Sequence, residues 1–552
     1  MTMRSLTRWT RLLVVAGVFG SAGCNSLTIT NPNAPDADRA FSDPDAIAGL
    51  VTGGFRNWML THESYGGSLI LSTMADAHTA SWNNFNIRYY SSYGVECPER
   101  CGWENVITSP FRTEIMTFWY GYYSVLSSAN DVLRATTDVG LGGNGVIISD
   151  PENTSMIKFG ALMLQAMSHA ELALNYDQGF VVDWDTDVTA LTLEPASGLR
   201  DFALAKFEEA IDTALGSTWT ATPVEWTGVT SGVSYTKDEM IQLARTMQAR
   251  LLAYFPRTAA ENAAVDWNQV ATYAADGIDF DWEFFQDFNI LFSGLKNWSN
   301  DLTTMRVDTR LSSTIPNSNQ AHPWNGTPVQ PNSPDNRLGN GSWGPTNDFL
   351  GGYGTIAGPT KDFAYSPVAI FLPARGQFHQ SFIGHVRYSF TAYPGYGLPG
   401  EDGTGHFPVF TKTLNDLLRA EGALRGAGGA GVAAPFINAT RVTRGGLAAS
   451  AGTLADLQYE QDIELLAIGA SPFYNRRRTD VLHTDTPREM PVPVQDLLIL
   501  QIPAYGWGGP GRNDCTTCAS RLDGTRVKSV HQLWREVYSN ERGVLRTRGG
   551  RQ

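Results

Sequence analysis

The stretch MIKFGALMLQAMSHAELALNY, residues 156–176, places Phe159, Leu162, Met163, Ala166, Met167, Ala170 and Leu174 at intervals of three and four residues. A helix turns once in about 3.6 residues, so this spacing lays the apolar side chains along one face and predicts a helix with a buried stripe. Met163 and Met167 are read as core packing. The same pattern extends outward in both directions. Ile47, Leu50, Val51 and Phe55 share a face over 43–59, behind the helix-entry residues Ser42, Asp43 and Pro44. Further helices are predicted over 111–135, 199–215, 237–255 and 267–278, with Met240, Leu243, Ala244, Met247, Leu251 and Tyr254 in register in the third of these. Trp119, Tyr120, Tyr122 and Tyr123 are expected to pack around their own helix. Successive helices with moderate links and little strand signal describe a mainly α fold, an array of helical hairpins.

Beyond this array the character changes. Over 281–405, Gly, Pro, Asn and Ser cluster around Trp298, Trp324, Trp343, Tyr353, Tyr365, Tyr388, Tyr393 and Tyr396, with no sustained helical period. This predicts a long loop-rich insertion, and loops of that length in an ordered chain are commonly functional. Helical patterning resumes over 409–424 and 454–468, separated by a Gly/Ala-rich link at 426–434, and a final helix is expected near 529–539.

The chain has 552 residues, of which 42% are hydrophobic and only 17% charged, against a usual charged fraction of about 25%. Its formal net charge of −14 offers no basic stripe to a phosphate backbone, so nucleic-acid binding is not expected. Arg4, Arg8 and Arg11, an apolar run over 12–19 and the small residues before Cys24 have the three-part form of a secretory signal, covering 1–24. The run is too short to span a bilayer. A Cys after small residues resembles the bacterial lipobox, which makes Cys24 the expected lipidation site. Ser21 stands where Leu is usual, so an ordinary cleaved signal is the alternative. Asn25 is not the Asp typical of inner-membrane retention, which favours the outer membrane. The remaining cysteines, Cys97, Cys101, Cys515 and Cys518, form an even set. An oxidising compartment favours disulfides, with local Cys97–Cys101 and Cys515–Cys518 pairs as one of three pairings; a tetrahedral zinc site is the other reading.

Nucleophile elbows, P-loops and H-E-x-x-H helices are absent from the sequence. The glycines Gly140, Gly142 and Gly145 follow a helix rather than a strand and are read as a turn. His379, His385 and His406 are read as structural or exposed rather than metal-binding, and neither a metal nor another cofactor is expected. Asp279, Asp281, Glu283 and Asp287 are candidates for hydrolytic carboxylates only loosely, because the separation of such a pair is a spatial fact. A sugar site needs flat aromatic faces for C–H surfaces beside planar polar groups for hydroxyls. Asp76, Trp82, Asn83, Asn84, Arg88, Tyr89 and Tyr90 form such a string, with Trp298, Trp324 and Trp343 as further candidate ligand contacts in the insertion. Trp82 and Tyr89 could equally cover helix ends.

Several short motifs then point to one family. Tyr235-Thr236-Lys237 precedes the helix ending Leu251-Leu252-Ala253-Tyr254, and Asp266-Trp267-Asn268 with Tyr273-Ala274 follows. Arg419-Ala420-Glu421-Gly422, Phe436-Ile437-Asn438 with Arg441 and Gly445, Tyr459-Glu460 with Glu464-Leu465 and Gly469, and Leu500-Gln501-Ile502-Pro503 come after it in order. This succession resembles the SusD/RagB nutrient-binding lipoproteins. Gln461, Asp462 and Ile468 depart from that pattern, as does Pro472-Phe473-Tyr474-Asn475-Arg476-Arg477-Arg478. The resemblance implies a tetratricopeptide-like helical-pair scaffold with a loop-built ligand face. It implies a signal peptide at 1–24, a helical region at 25–280, the aromatic insertion at 281–405 and a completing region at 406–552. It further implies a non-enzymatic, surface-exposed, lipid-tethered outer-membrane protein that passes an oligosaccharide or peptide to a SusC-like TonB-dependent transporter. The alternatives are a secreted helical glycan hydrolase and a helical-repeat scaffold that binds only protein.

Overall fold

A computed structural model of the chain describes residues 43–80, 86–91, 100–137, 148–287, 289–301, 304–339, 362–370, 379–388 and 404–506. Helix α1 (Pro44–His62) is started by Asp43, whose carboxylate accepts from the amides of Asp45 and Ala46. Helices α2 (Thr113–Thr136), α3 (Pro151–Asn175), α4 (Ala196–Leu215), α5 (Lys237–Tyr254) and α6 (Trp267–Ala275) follow. Helix α3 begins before the apolar stripe because Pro151 suits the first turn and Asp150 accepts from the Asn153 amide at 2.8 Å. Its stripe, Met163 and Met167 included, is buried. Thr236 and Glu239 close a reciprocal cap on α5. Each helix packs on its successor, from α1 on α2 through to α5 on α6, and α6 packs on α7 (Lys412–Arg425). Trp119 and Tyr122 point into the core, Trp119 edge-on to Tyr176 at 5.0 Å. The mainly α hairpin array is therefore the observed architecture. Among the described residues no helix is long and apolar enough to cross a membrane.

Helices α8 (Ala430–Arg441), α9 (Leu454–Glu464), α10 (Ser471–Arg478) and α11 (Val494–Ile499) complete the frame. Short strands join it: β1 (His78–Thr79), β2 (Trp282–Gln286), β3 (Arg306–Val307), β4 (Phe363–Tyr365), β5 (Ile383–His385) and β6 (Gly405–Phe410). Three expectations need correction. The helix expected over 409–424 starts only at Lys412, because Val409 and Phe410 belong to β6, which pairs antiparallel with β2 from Trp282↔Phe410 to Gln286↔Gly405. The link expected over 426–434 is helical from Ala430, since α8 packs on α7 despite its small residues. The helix expected over 454–468 ends at Glu464, and Gly469, at φ +49°, turns the chain into α10. The final helix expected near 529–539 lies outside the described residues.

The β2–β6 ribbon closes the base of the loop-rich stretch, and α9 anchors its interior. Arg337 donates to Glu460 Oε2 at 2.6 Å and Glu464 Oε1 at 2.9 Å, while Arg387 reaches Glu464 Oε2 at 2.7 Å. The motif residues have equally local tasks. Asp266 caps α6, and Asn268 Oδ1 accepts from the Ala427 amide at 2.9 Å. Gly422 lets α7 cross α6 closely, since a Cβ there would stand 2.9 Å from Ala271.

Helix α10 ties these parts together. Arg477 donates to the carbonyls of Leu174 (2.8 Å) and Tyr254 (2.7 Å), at the C-terminal ends of α3 and α5. Arg478 donates to Glu421 Oε1 at 2.6 Å and Oε2 at 2.5 Å, both groups being buried. Burial alone would raise the Glu421 carboxyl, but Arg478 and Arg425 hold it down at about 2. Against a value of about 4.3 in the unfolded chain, this pair stabilises the fold above pH ~4.3, and the contribution is lost as pH falls through about 2. Urea titration of Glu421→Gln should show a loss of about 3 kcal/mol at pH 7, as expected for stranding one partner of a buried pair. The deficit should shrink as the pH approaches 2. A deficit that does not change with pH would show that the charge is not the cause.

Candidate functional site

Three segments distant in sequence meet just beyond α1. The chain turns at Asp76, whose φ of +53° an Asp tolerates better than most residues, and enters β1. Strand β1 pairs antiparallel with β3, His78 opposite Val307 and Thr79 opposite Arg306. The Asp308 amide donates to the Ala77 carbonyl at 3.1 Å, and the Asp308 carboxylate caps the short helix Thr309–Ser312. The third segment is held by the Thr309 amide donating to the His379 carbonyl at 2.7 Å and the Ser381 amide donating to the Val307 carbonyl at 3.2 Å.

Cationic groups gather around Asp76, whose side chain is only 2% exposed. Arg100 hydrogen-bonds Oδ1, and Arg310 Nη1 lies 3.3 Å from Oδ2. Arg476 Nη1 donates to the carbonyls of Ala75 at 2.6 Å and Asp76 at 3.2 Å. Burial would raise the Asp76 carboxyl, yet Arg100, Arg310 and Arg476 together keep it below the usual carboxylate range. Its neighbour Asp308 goes the other way, pushed far up by burial and by the charge of Asp76. Arg310 keeps 27% of its side chain exposed. Around it stand three imidazoles. His322 is exposed, with Nδ1 2.9 Å from the Thr309 hydroxyl and its ring 5.5 Å from that of His379. Burial first, and then Arg310, lowers His322; burial, then Arg100 and Arg310, lowers His483. His379 is lowered to about 4, chiefly by burial.

Trp324 stands two residues beyond His322. It is half-buried, its ring 6.3 Å from that of Phe382. The Phe382 amide donates to Gln320 Oε1 at 2.8 Å, and Gln320 Nε2 donates to the Val329 carbonyl at 3.1 Å, so the loop that carries Trp324 is fixed on both sides. The indole Nε1 is covered and has no hydrogen-bond partner among the described residues.

Of the residues singled out in the sequence, Asp76 and Trp324 are therefore brought to one junction, Asp76 beneath its arginines and Trp324 at the surface. Arg88 and Tyr89 lie on the short helix Ile87–Ser91, which Arg100 joins to the junction by donating to the Tyr90 carbonyl at 2.9 Å. Arg88 is half-buried. Tyr89 is largely covered, stacked on Phe111 at 3.9 Å with its hydroxyl donating to Glu104 at 3.0 Å. Trp298 sits apart, on the short helix Gly294–Ser299, edge-on to Tyr65 at 5.6 Å. Trp82, Asn83 and Trp343 lie outside the described residues, as do Cys24, Cys97, Cys515 and Cys518. Cys101 is buried and disulfide-bonded.

Arg100, Arg310, His322 and Phe382 escaped the sequence reading. Nothing local marks Arg310 as the partner of Asp76, which only the β1–β3 pairing brings near. The loosely considered carboxylates are mostly occupied with backbone. Asp281 accepts from the Lys412 amide at 2.8 Å, and Asp287 takes the amides of Asn289, Ile290 and Leu291. Glu283 is half-buried and is pushed up to about 7, by burial and then by Asp281. Among the described residues no group of three or more His, Cys, Asp or Glu is placed to hold a metal ion.

No family model and no curated protein matches the sequence. Solved structures do match the fold. A SusD superfamily protein from Parabacteroides distasonis aligns with a TM-score of 0.56 at 12% identity, over 85% of this chain and 100% of its own. A SusD-like carbohydrate-binding protein from Bacteroides fragilis aligns with a TM-score of 0.52 at 12% identity, over 79% of this chain and 86% of its own. With the helical array, the strand-closed insertion and these alignments together, the chain has the SusD-like fold.

Proposed function

We propose that this protein is a non-enzymatic, carbohydrate-binding lipoprotein of the bacterial outer membrane, which captures an oligosaccharide and passes it to a SusC-like TonB-dependent transporter. The observation that carries the reading is a SusD-like fold shared, over most of both chains, with a carbohydrate-binding protein. The junction of β1, β3 and residues 379–385 is the face we assign to the ligand. A half-exposed indole beside guanidinium and imidazole groups offers both the stacking surface and the hydrogen bonds a sugar ring requires. A peptide cargo would use the same face. Support for the lipid tether is the signal-like segment that ends at Cys24.

Calorimetric titration against a panel of oligosaccharides and peptides should find a ligand. Trp324→Ala should weaken its binding about tenfold, the scale of one aromatic contact, with the far-ultraviolet circular dichroism unchanged. Wild-type affinity in that variant would remove this face from the site. The same mixtures should yield no cleavage products; turnover would replace the capture reading with a hydrolase in which Glu283 is the first residue to test. Cys24→Ala should move the protein from the membrane pellet to the soluble fraction on cell fractionation, and retention in the pellet would refute the lipid tether.

A further inference from the structure

A cavity of about 380 Å³ lies at the other end of α3 from the junction. Helix α3 has 25 residues and so runs for about 37 Å. At its C-terminal end the Leu174 carbonyl accepts from Arg477 of α10, and the adjacent Arg476 holds the Asp76 turn. The cavity is walled instead by the residues that start α3, Asp150, Glu152, Asn153 and Met156, and by the link between α4 and α5, residues 219–223, with Ser234. Both walls are fixed. The Thr222 amide donates to the Tyr235 carbonyl at 2.8 Å, and the Lys237 amide to the Thr220 carbonyl at 2.9 Å. Trp219 packs on Phe159 of α3 with the rings 5.3 Å apart, and the Thr218 hydroxyl donates to Glu152 Oε1 at 2.6 Å. Small-ligand sites have volumes of roughly 300–1,000 Å³, a range that includes this one.

The lining mixes donors with acceptors. The carboxylates of Asp150 and Glu152 accept, while the Asn153 amide and the hydroxyls of Thr222 and Ser234 can do both. Thr222 Oγ1 accepts from the Tyr235 amide at 3.1 Å, a bond that does not use its own proton. Trp219 is 4% exposed, and its indole Nε1 has no hydrogen-bond partner among the described residues. Met156, Ala221 and Pro223 add carbon surface. An apolar molecule would strand the polar groups. An anion would meet two carboxylates and no Lys, Arg or His among the lining residues. For a metal ion, no group of three or more His, Cys, Asp or Glu is placed to hold it among the described residues. A neutral sugar, whose hydroxyls donate and accept and whose C–H groups are apolar, uses every part of this lining.

We infer that this cavity is a second carbohydrate site, which takes a short stretch of neutral glycan. This rests on the carbohydrate-binding reading and adds a site to the one assigned at the junction. Two sites at opposite ends of α3 hold one long glycan more tightly than either alone, because the second contact is intramolecular once the first is made.

The test is calorimetry with neutral trisaccharides: maltotriose, cellotriose, xylotriose and mannotriose. The unsubstituted protein should bind at least one of them at two sites. Ala221→Trp puts an indole on an exposed residue of the wall and should abolish one site while leaving the other unchanged; Trp324→Ala should weaken only the other. Glu152→Ala, a smaller change at an exposed residue, should weaken the cavity site about tenfold, as for the loss of one hydrogen bond to a charged group. A uronate-bearing counterpart should not enter the cavity. A single site, weakened by Trp324→Ala and untouched by Ala221→Trp and Glu152→Ala, would overturn the second site and leave carbohydrate binding intact. Uronate binding in the cavity as tight as that of the neutral sugar would overturn the assignment to a neutral glycan. If no trisaccharide binds at either place, both readings fall together.

Discussion

The three consecutive arginines of α10 are the constraint on which the rest of the molecule depends. A helix leaves its last carbonyls without partners, and in a packed interior those acceptors must be met by another donor. Arg477 meets them for α3 and α5, and Arg257 adds bonds to the Ala173 carbonyl at 2.7 Å and the Tyr176 carbonyl at 3.3 Å. Arg478 holds α7 through Glu421, and Arg476 holds the carbonyls at the Asp76 turn. One short helix thus sets the relative positions of the N-terminal hairpins, the C-terminal helices and the segment that carries the candidate site.

The insertion relies on the same kind of device in a second place. Glu460 and Glu464 of α9 are buried, and the arginines they bind, Arg337 and Arg387, belong to the stretch between β2 and β6. Buried carboxylates that lack such partners are costly, so the loops are held by charge pairing where their own sequence offers no regular apolar stripe. At the junction around Asp76 the balance is reversed. There two arginines, Arg100 and Arg310, converge on one covered carboxylate, Asp76.

How much of this was legible in advance depended on whether the cause was local. Helix α3 was readable because its apolar stripe recurs with the helical period, and the cap at Asp150 lies beside it. Residues 430–434, read as part of a link, carry little periodic signal because they are mostly Ala and Gly, and their helix is stabilised by packing on α7. Val409 and Phe410 continued an apolar pattern, yet they became strand because Trp282 and its neighbours supply the partner. Asp76 and Trp324 stood out by residue type, while Arg310 did not, since an arginine in a loop carries no mark of the carboxylate it will meet.

By itself, the sequence determined the helical array and the order of the motifs that resemble the SusD/RagB lipoproteins, because periodicity, caps and motif spacing act over a few residues. Only the tertiary structure decided that Asp76 is covered rather than offered to a ligand, that Arg310 and His322 come near it, and that α10 holds the frame in place. Those outcomes depend on pairings between segments far apart in the chain, which no stretch of sequence read alone contains.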